Sequence, residues 1–196
     1  MMGRRCFLRR LSSLSGIGII GVSSLSLVAC ATNRSDAEES LQVPKTMILE
    51  SSAFPPDGAI PAKYTCDGDN VSPALTWDAP PEKTLSLVLI ADDPDAPRRT
   101  YVHWVLYDLD PKIRELPEGV PSQPILNLGG VQGKNDFGRY GYGGPCPPNG
   151  THRYFFKLYA LDTVLDLPPG ATKAEVIKAM KEHILAGAEL IGRYSR

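Results

Sequence analysis

"GGPCPPNGTHRYFFKLYALD", residues Gly143 to Asp162, joins a rigid loop directly to a strand. The first eight residues contain three prolines and three glycines, a composition that cannot continue as a helix or a central strand. The following residues are largely aromatic or apolar, which favours a strand. Alternate residues of a strand share one face, so His152 and Tyr154 point the same way and Arg153 points away. This pattern predicts a small anion-accepting pocket, whose other walls must come from elsewhere in the chain.

Two other polar stretches are candidates for those walls. "ADDPDAP", residues 91–97, ends a strongly apolar run. Its prolines restrict the backbone, so Asp92, Asp93 and Asp95 are held in place. "VHWV" places His103 inside a predicted strand.

A carboxylate, two imidazoles, a phenol and a glycine-rich loop allow several chemistries. Two histidines and one carboxylate match the ligand count of a metal triad, and the same groups suit acid–base catalysis. Imidazolium, hydroxyl and loop amide donors would instead bind a phosphate or carboxylate. Each histidine could also simply donate to a buried backbone carbonyl. The sequence has no Gly-x-Ser-x-Gly, Walker, His-Glu-x-x-His or paired-cysteine motif, so binding is favoured over catalysis and no cofactor is indicated.

Short apolar runs between proline- and glycine-rich loops predict an antiparallel β-sandwich. The predicted strands are "TMILES" from Thr46, "PALTW" ending at Trp77, "LSLVLIADD" from Leu85, "YVHWVLYDL" from Tyr101, "HRYFFKLYAL" from His152 and a short final "AELIGRYS".

One segment, "TKAEVIKAMKEHILAG", predicts a C-terminal amphipathic helix packed on this sandwich. Val176, Ile177, Met180 and Ile184 recur at helical spacing. Thr172 and Glu175 form a capping box, Gly187 ends the predicted helix, and His183 lies on its solvated surface near the C-terminus.

The N-terminus predicts an export signal over residues 1–29. Four arginines precede an apolar and small-residue stretch that ends in "LVAC". "GRRCFLR", residues 3–9, resembles a twin-arginine export motif, and the general secretory route is the alternative. "LVAC" resembles the lipobox of bacterial lipoproteins, which implies a lipid anchor on Cys30 and a position on the periplasmic side of the outer membrane.

The segment 30–45 is then the lipidated cysteine and its tether, and residues 46–196 form one domain. Without the signal, 17 basic residues stand against 22 acidic ones, a net charge of −5, which argues against nucleic-acid binding. Cys66 and Cys146 lie in loops rich in glycine, aspartate and proline, where no strand pleat forces them apart, and an exported protein permits a disulfide between them. The alternative is two free thiols at the rim of the pocket.

"DPDAP" from Asp93, "HW" from His103 and "GPCPPNGTHRYFFKLYALD" from Gly144 resemble three signature blocks of the phosphatidylethanolamine-binding protein family, also called the Raf kinase inhibitor protein family. "YTCDGDNVSPALTW", residues 64–77, resembles the segment before them in the bacterial branch. The resemblance implies antiparallel sheets and a pocket for phosphate-like or acetate-like anions or a phospholipid head group. Carried over residue by residue, it implies that the ligand-binding residues are Asp93, His103, Gly144, Pro147, His152 and Tyr154.

The chain departs from the eukaryotic pattern at several points. The loop before His103 is short, so that Tyr101 is a poor positional substitute for a pocket tyrosine, and Cys146 replaces a glycine. Asp93 would repel an anion unless it accepts a hydrogen bond from a histidine or meets the ammonium of a zwitterionic head group. We expect non-enzymatic binding of a small anion or head group; the alternatives are a protein-contact inhibitor of a hydrolase, whose partner is unknown, and a metal-assisted hydrolase.

Overall fold

The computed structural model describes Leu41 and residues 43–196. The predicted signal peptide, the predicted lipidation site Cys30 and most of the predicted tether lie outside the described residues.

Two antiparallel sheets make up the domain. The larger has the strand order β6-β4-β3-β7-β8, and the smaller has the order β1-β2-β5. Their bounds are β1 Leu49–Glu50, β2 Leu75–Trp77, β3 Ser86–Asp93, β4 Tyr101–Leu109, β5 Glu115–Leu116, β6 Val131–Gln132, β7 Thr151–Leu161 and β8 Ile184–Ser195, with the helix α1 at Lys173–Met180. The predicted mainly-β antiparallel architecture is confirmed.

Strand β3 is buried along its whole length because the large sheet is covered on both faces. Leu87 and Leu89 belong to the core that it shares with the small sheet, which includes Leu75. Val88 belongs to a second core, to which α1 contributes Val176. Two covered faces explain why the sequence of β3 is continuously apolar rather than alternating.

The predicted helix is too long. The capping box is present, because the Thr172 side chain accepts from the Glu175 amide and the Glu175 carboxylate accepts from the Thr172 amide. However, α1 ends at Met180, and the final strand begins at Ile184, which the sequence had placed in the helical stripe.

Gly187 is therefore a strand residue and not a helix cap. It pairs with Tyr159, and a Cβ at this position would lie 2.5 Å from Cγ1 of Val43. His183 is likewise not on the helix, and its Nδ1 donates to the Asp162 carboxylate across 2.8 Å. The long β7–β8 ladder provides hydrogen bonds for the backbone of this segment. These tertiary contacts outweigh the local preference for a helix that the spacing of the apolar residues indicates.

The chain before β1 runs along strand β8. The amides of Met47 and Gly187 donate to the carbonyls of Gly187 and Pro44 respectively, and Lys45 forms an ion pair with Glu189. The last residues of the predicted tether thus contact the domain. No helix in the described part of the chain combines the length and the apolar character that crossing a membrane requires.

Candidate binding site

Strand pairing brings the polar stretches of the sequence together. Strand β3 lies between β4 and β7 and is antiparallel to both, with Asp92 opposite Val102 on one side and Phe155 on the other. The C-terminal end of β3 therefore meets the first residues of β4 and β7. As a result, Asp93, His103, His152 and Tyr154 form one group, which we call the His–Asp cluster.

Asp93 and His152 are directly bonded in this cluster. The Nδ1 atom of His152 donates to Oδ2 of Asp93 across 2.7 Å, and both side chains are almost fully buried. The other carboxylate oxygen of Asp93 accepts from the Asp95 amide. The Asp93 bond requires the proton on Nδ1, which leaves Nε2 as the ring nitrogen that can meet a ligand.

His103 is held by the loop that precedes β7, residues 143–150. Its Nδ1 donates to the carbonyl of Gly143 across 2.6 Å, and the residue is buried. Burial lowers the pKa of His103 below its ordinary 6.5, although the Gly143 carbonyl and the Asp93 charge act in the opposite direction. The His103 ring is accordingly neutral near pH 7 in the free protein, rather than the imidazolium donor that anion binding requires.

Tyr154 has a buried hydroxyl group without an acceptor. The residue is 2% exposed, and its O–H has no hydrogen-bond partner among the described residues. Burial, followed by the charge of Asp93, raises the pKa of Tyr154, while the nearby Cys146 amide acts in the opposite direction. Tyr154 thus stays protonated, and it carries an unused donor in a protein interior where such groups are costly.

Gly144 is required by close packing, and its amide is already bonded. Its N–H donates to Oδ1 of Asn70 across 2.7 Å, and a Cβ here would lie 2.4 Å from the Tyr64 carbonyl oxygen. The expected amide donor at Gly144 is thus engaged by Asn70, a residue that sequence reasoning missed. Asn70 lies in the "CDGDN" loop. The turn-like composition of this loop was the only feature of the sequence that could have indicated a structural role for Asn70.

A disulfide joins the "CDGDN" loop to the loop that precedes β7. Cys66 and Cys146 are bonded, with Cα atoms 5.4 Å apart, which confirms the sequence prediction. The Cys66 amide also donates to the Pro145 carbonyl. Both cysteines are exposed, whereas Pro147, which follows Cys146 in the same loop, is buried.

Two aromatic rings extend the cluster outward. The ring centroids of Tyr101 and Phe137 are 5.5 Å and 5.4 Å from that of His103, and Tyr154 packs against His103 at 5.2 Å. Tyr101, the weak positional candidate, thus does contact a cluster histidine. Phe137 was missed entirely, because a single phenylalanine in the loop "NDFGRY" carries no periodic signal.

The other two aspartates of "ADDPDAP" face elsewhere. Asp95 accepts from the guanidinium of Arg153, and these hydrogen bonds lower the pKa of Asp95 to about 2. Asp92, fully buried on the opposite face of β3, pairs with Lys157 and Lys173. Only Asp93 of the three belongs to the His–Asp cluster.

Nowhere in residues 43–196 do three His, Cys, Asp or Glu side chains lie where they could share one metal ion. The Nδ1 atoms of His103 and His152 both donate to protein acceptors, which leaves their Nε2 atoms for a ligand. The cluster packs the ring of His103 against Tyr154, whose hydroxyl is buried.

Comparisons with known proteins give the family. A profile described as "Phosphatidylethanolamine-binding protein" matches residues 50–195. The chain belongs to the phosphatidylethanolamine-binding protein family. The match covers every residue of the His–Asp cluster and both strands that carry its histidines.

Relatives in the phosphatidylethanolamine-binding protein family include a UPF0098 protein of Methanothermobacter thermautotrophicus, 55% identical over 76% of this chain and 99% of that protein. A crystal structure described as a putative phosphatidylethanolamine-binding protein homolog from Chlamydia trachomatis is 43% identical, with a TM-score of 0.71 over 76% of this chain and 97% of that one. Escherichia coli YbcL, described as a new member of the mammalian family, is 31% identical, with a TM-score of 0.71 over 76% of this chain and 98% of that one.

Proposed function

We propose that this protein binds a phosphate-like anion or a phospholipid head group at the His–Asp cluster, without catalysing a reaction. The observation that carries the proposal is the buried, acceptor-less hydroxyl of Tyr154 beside the edge of His103. A bound oxyanion would accept that hydroxyl proton and remove the cost of leaving it unbonded. Membership of a family of binding proteins supports this assignment.

The histidines supply the charge that an anion needs. His152 is oriented by Asp93, so that its Nε2 is available, and it donates from Nε2 only when the ring is doubly protonated. His103 is neutral before binding, so binding of a dianion at its Nε2 is coupled to uptake of a proton from solvent onto that atom. The Asp93 carboxylate accepts from Nδ1 of His152, and it would also attract the ammonium of an ethanolamine head group.

Calorimetry with inorganic phosphate and with phosphoethanolamine tests this function. We expect His152→Ala to weaken binding at least about tenfold, because one charge-assisted hydrogen bond contributes roughly 1.5–3 kcal/mol. The matched control is His183→Ala, which removes a half-exposed histidine paired with Asp162 and should leave affinity unchanged. Equal affinity of wild type and His152→Ala would return His152 to a purely structural role.

We propose that the domain acts at the bacterial cell envelope, on a lipid attached to Cys30 after removal of residues 1–29. A lipidated protein on the periplasmic side of the outer membrane would hold the His–Asp cluster near phospholipid head groups. Cys30→Ser should release the protein to the soluble fraction of cells, whereas identical fractionation of mutant and wild type would exclude the anchor. Changing Arg4 and Arg5 to Lys should block export by the twin-arginine route, and normal export would indicate the general secretory route.

A further inference from the structure

The Cys66–Cys146 disulfide lies at the surface, in contact with a positive side chain. Both cysteines are exposed, and Nη1 of Arg196 donates to Sγ of Cys146 across 3.6 Å. We propose that this disulfide is a thiol-exchange site, which a dithiol reductant opens by attack at Sγ of Cys66 while Cys146 leaves as the thiolate. Such exchange does not depend on a ligand at the His–Asp cluster.

Exposure makes the bond accessible in the folded protein. Pro145 and Pro147, on either side of Cys146, are both buried, so the chain presents this cysteine outward between two residues of restricted backbone. Cys66 begins a run of four exposed residues that extends to position 69. Exposed disulfides are more readily reduced than buried structural ones, so a small dithiol can react here without unfolding the domain.

The charges around the bond distinguish its two sulfur atoms. The guanidinium of Arg196 contacts the sulfur of Cys146, and a positive group in this position stabilises a thiolate. Asp67 directly follows Cys66, and its carboxylate accepts from Arg196 across 3.0 Å and from the Tyr194 hydroxyl across 2.7 Å. A carboxylate beside Cys66 disfavours a negative charge on that residue. Cys146 is therefore the better leaving group.

The exchange consists of two balanced steps. A thiolate of the dithiol attacks Sγ of Cys66, a mixed disulfide forms, and the Cys66–Cys146 bond breaks with its electron pair on Cys146, because the sulfur with the more stable thiolate leaves faster. The second thiolate of the reductant then attacks the reductant's own sulfur in the mixed disulfide, and Cys66 leaves. The protein gains two electrons, the dithiol is oxidised to a disulfide, and its two protons pass to solvent, from which the cysteine thiolates take them up.

Backbone hydrogen bonds keep the two loops together when the disulfide is open. The Cys66 amide donates to the Pro145 carbonyl across 3.0 Å, and the Gly150 amide donates to the Arg196 carbonyl across 3.1 Å. Neither bond uses a sulfur atom, so both can persist in the reduced protein. The two thiols therefore remain adjacent, with Arg196 beside them, and exchange with a disulfide compound would close the bond again.

Reduction kinetics with dithiothreitol at about pH 7 provide the first test. Samples are quenched with acid and alkylated, and mass spectrometry measures both cysteines. We expect wild type to open while folded, so that the rate does not change at urea concentrations well below the unfolding transition. Arg196→Gln should open at least about threefold more slowly, because the leaving Cys146 loses its positive partner. Arg196→Lys, which keeps the charge, should give an intermediate rate.

Arg193→Gln is the matched control. Arg193 lies in β8, three residues before Arg196, and its side chain is 45% exposed, against 47% for Arg196. It pairs with Asp57 across 2.9 Å. The variant removes the same charge from a neighbouring position, and its opening rate should stay within about 1.5-fold of wild type, because solvent and salt screen an exposed charge.

Alkylation of single-cysteine variants tests the direction of attack. Cys146 in Cys66→Ser should react with iodoacetamide at least about threefold faster than Cys66 in Cys146→Ser, because a larger thiolate fraction outweighs its lower nucleophilicity. Adding Arg196→Gln to Cys66→Ser should remove this excess, which a difference in steric access alone would not do. Circular dichroism checks that each variant is folded.

Each measurement has an outcome that overturns the proposal. A wild-type reduction rate that rises steeply from the lowest urea concentrations would show that the disulfide opens only on unfolding. Equal reduction rates for wild type and Arg196→Gln would show that Arg196 does not stabilise the leaving sulfur. Alkylation of Cys66 as fast as that of Cys146 would contradict attack at Cys66. None of these measurements uses phosphate, so they stand apart from the test of the anion site.

Discussion

His152 donates from Nδ1 to the Asp93 carboxylate across 2.7 Å, in a pair whose side chains expose only 10% and 5% of their surfaces. The bond joins the end of β3 to the start of β7. It leaves Nε2 as the unbonded ring nitrogen of His152, so in the proposed anion site Asp93 would act without contacting the anion.

Asp93→Asn should weaken anion binding. An asparagine oxygen can still accept from Nδ1, but the variant loses the negative charge that makes this bond to the histidine a charge-assisted one. An amide flip, in which the asparagine NH2 group donates to Nδ1, would leave the proton on Nε2 and act in the opposite direction, so the expected weakening rests on the lost charge. Calorimetry with phosphate decides the direction, and tighter binding would mean that Asp93 acts mainly by repelling the anion.

Anion binding should take up protons, because burial lowers the pKa of His103 and a bound anion raises it again. At about pH 8 a phosphoester is already a dianion. Any proton taken up on binding at this pH is therefore gained by the protein and not by the ligand. Calorimetry of methyl phosphate in two buffers of different ionisation enthalpy measures that uptake. His103→Asn should reduce it, and zero uptake in wild type would show that His103 stays neutral in the complex.

The same lowered pKa should affect folding stability. His103 binds its proton less tightly in the folded chain than in the unfolded chain, where the pKa is near 6.5. Its contribution to stability is therefore full above pH 6.5 and decreases as the pH falls below that value. Urea unfolding at several pH values should show this loss, and saturating phosphate should reduce it, because the anion favours the protonated ring.

Loss of the Cys66–Cys146 disulfide should lower the free energy of unfolding by about 2–4 kcal/mol, because the bond closes a long loop in the unfolded chain. The double variant Cys66→Ser with Cys146→Ser should melt earlier but still fold, since the Cys66 amide and the Gly144 amide keep their acceptors at Pro145 and Asn70. Thiol labelling of the unfolded, unreduced protein checks the premise, and labelling of both cysteines would show that they are not bonded.

Asp92→Asn should destabilise the fold more than Asp95→Asn. Asp92 is fully buried and forms ion pairs with both Lys157 and Lys173, so neutralising it removes two ion pairs at a buried position. We expect a cost of about 2–4 kcal/mol. The Asp95–Arg153 pair is 28% and 44% exposed, and its loss should cost less than about 1 kcal/mol. Urea unfolding measures the loss of unfolding free energy in the two variants. Equal losses would show that burial of Asp92 does not make its ion pairs more important than the exposed Asp95–Arg153 pair.

Predictions from the sequence succeeded where a feature depends on nearby residues. The strand of His152 and Tyr154 was predictable because its aromatic residues follow a proline- and glycine-rich loop. The capping box of Thr172 and Glu175 was predictable because both partners lie within one turn. The helix end was not, because Ile184 to Ser195 pair with β7, and that ladder has no local signature.

The sequence by itself determined the mainly-β fold, the shared face of His152 and Tyr154 and the two cysteine loops, because these follow from side-chain periodicity and turn composition. Only the tertiary structure decided that Asp93 orients His152 across 59 positions, that Asn70 takes the Gly144 amide across 74 positions, and that Phe137 lies beside His103. Contacts of this kind join residues that are far apart in the sequence, and they form only when the sheets bring particular strand ends and loops together. The local pattern of residues along the chain does not show which ends and loops will meet.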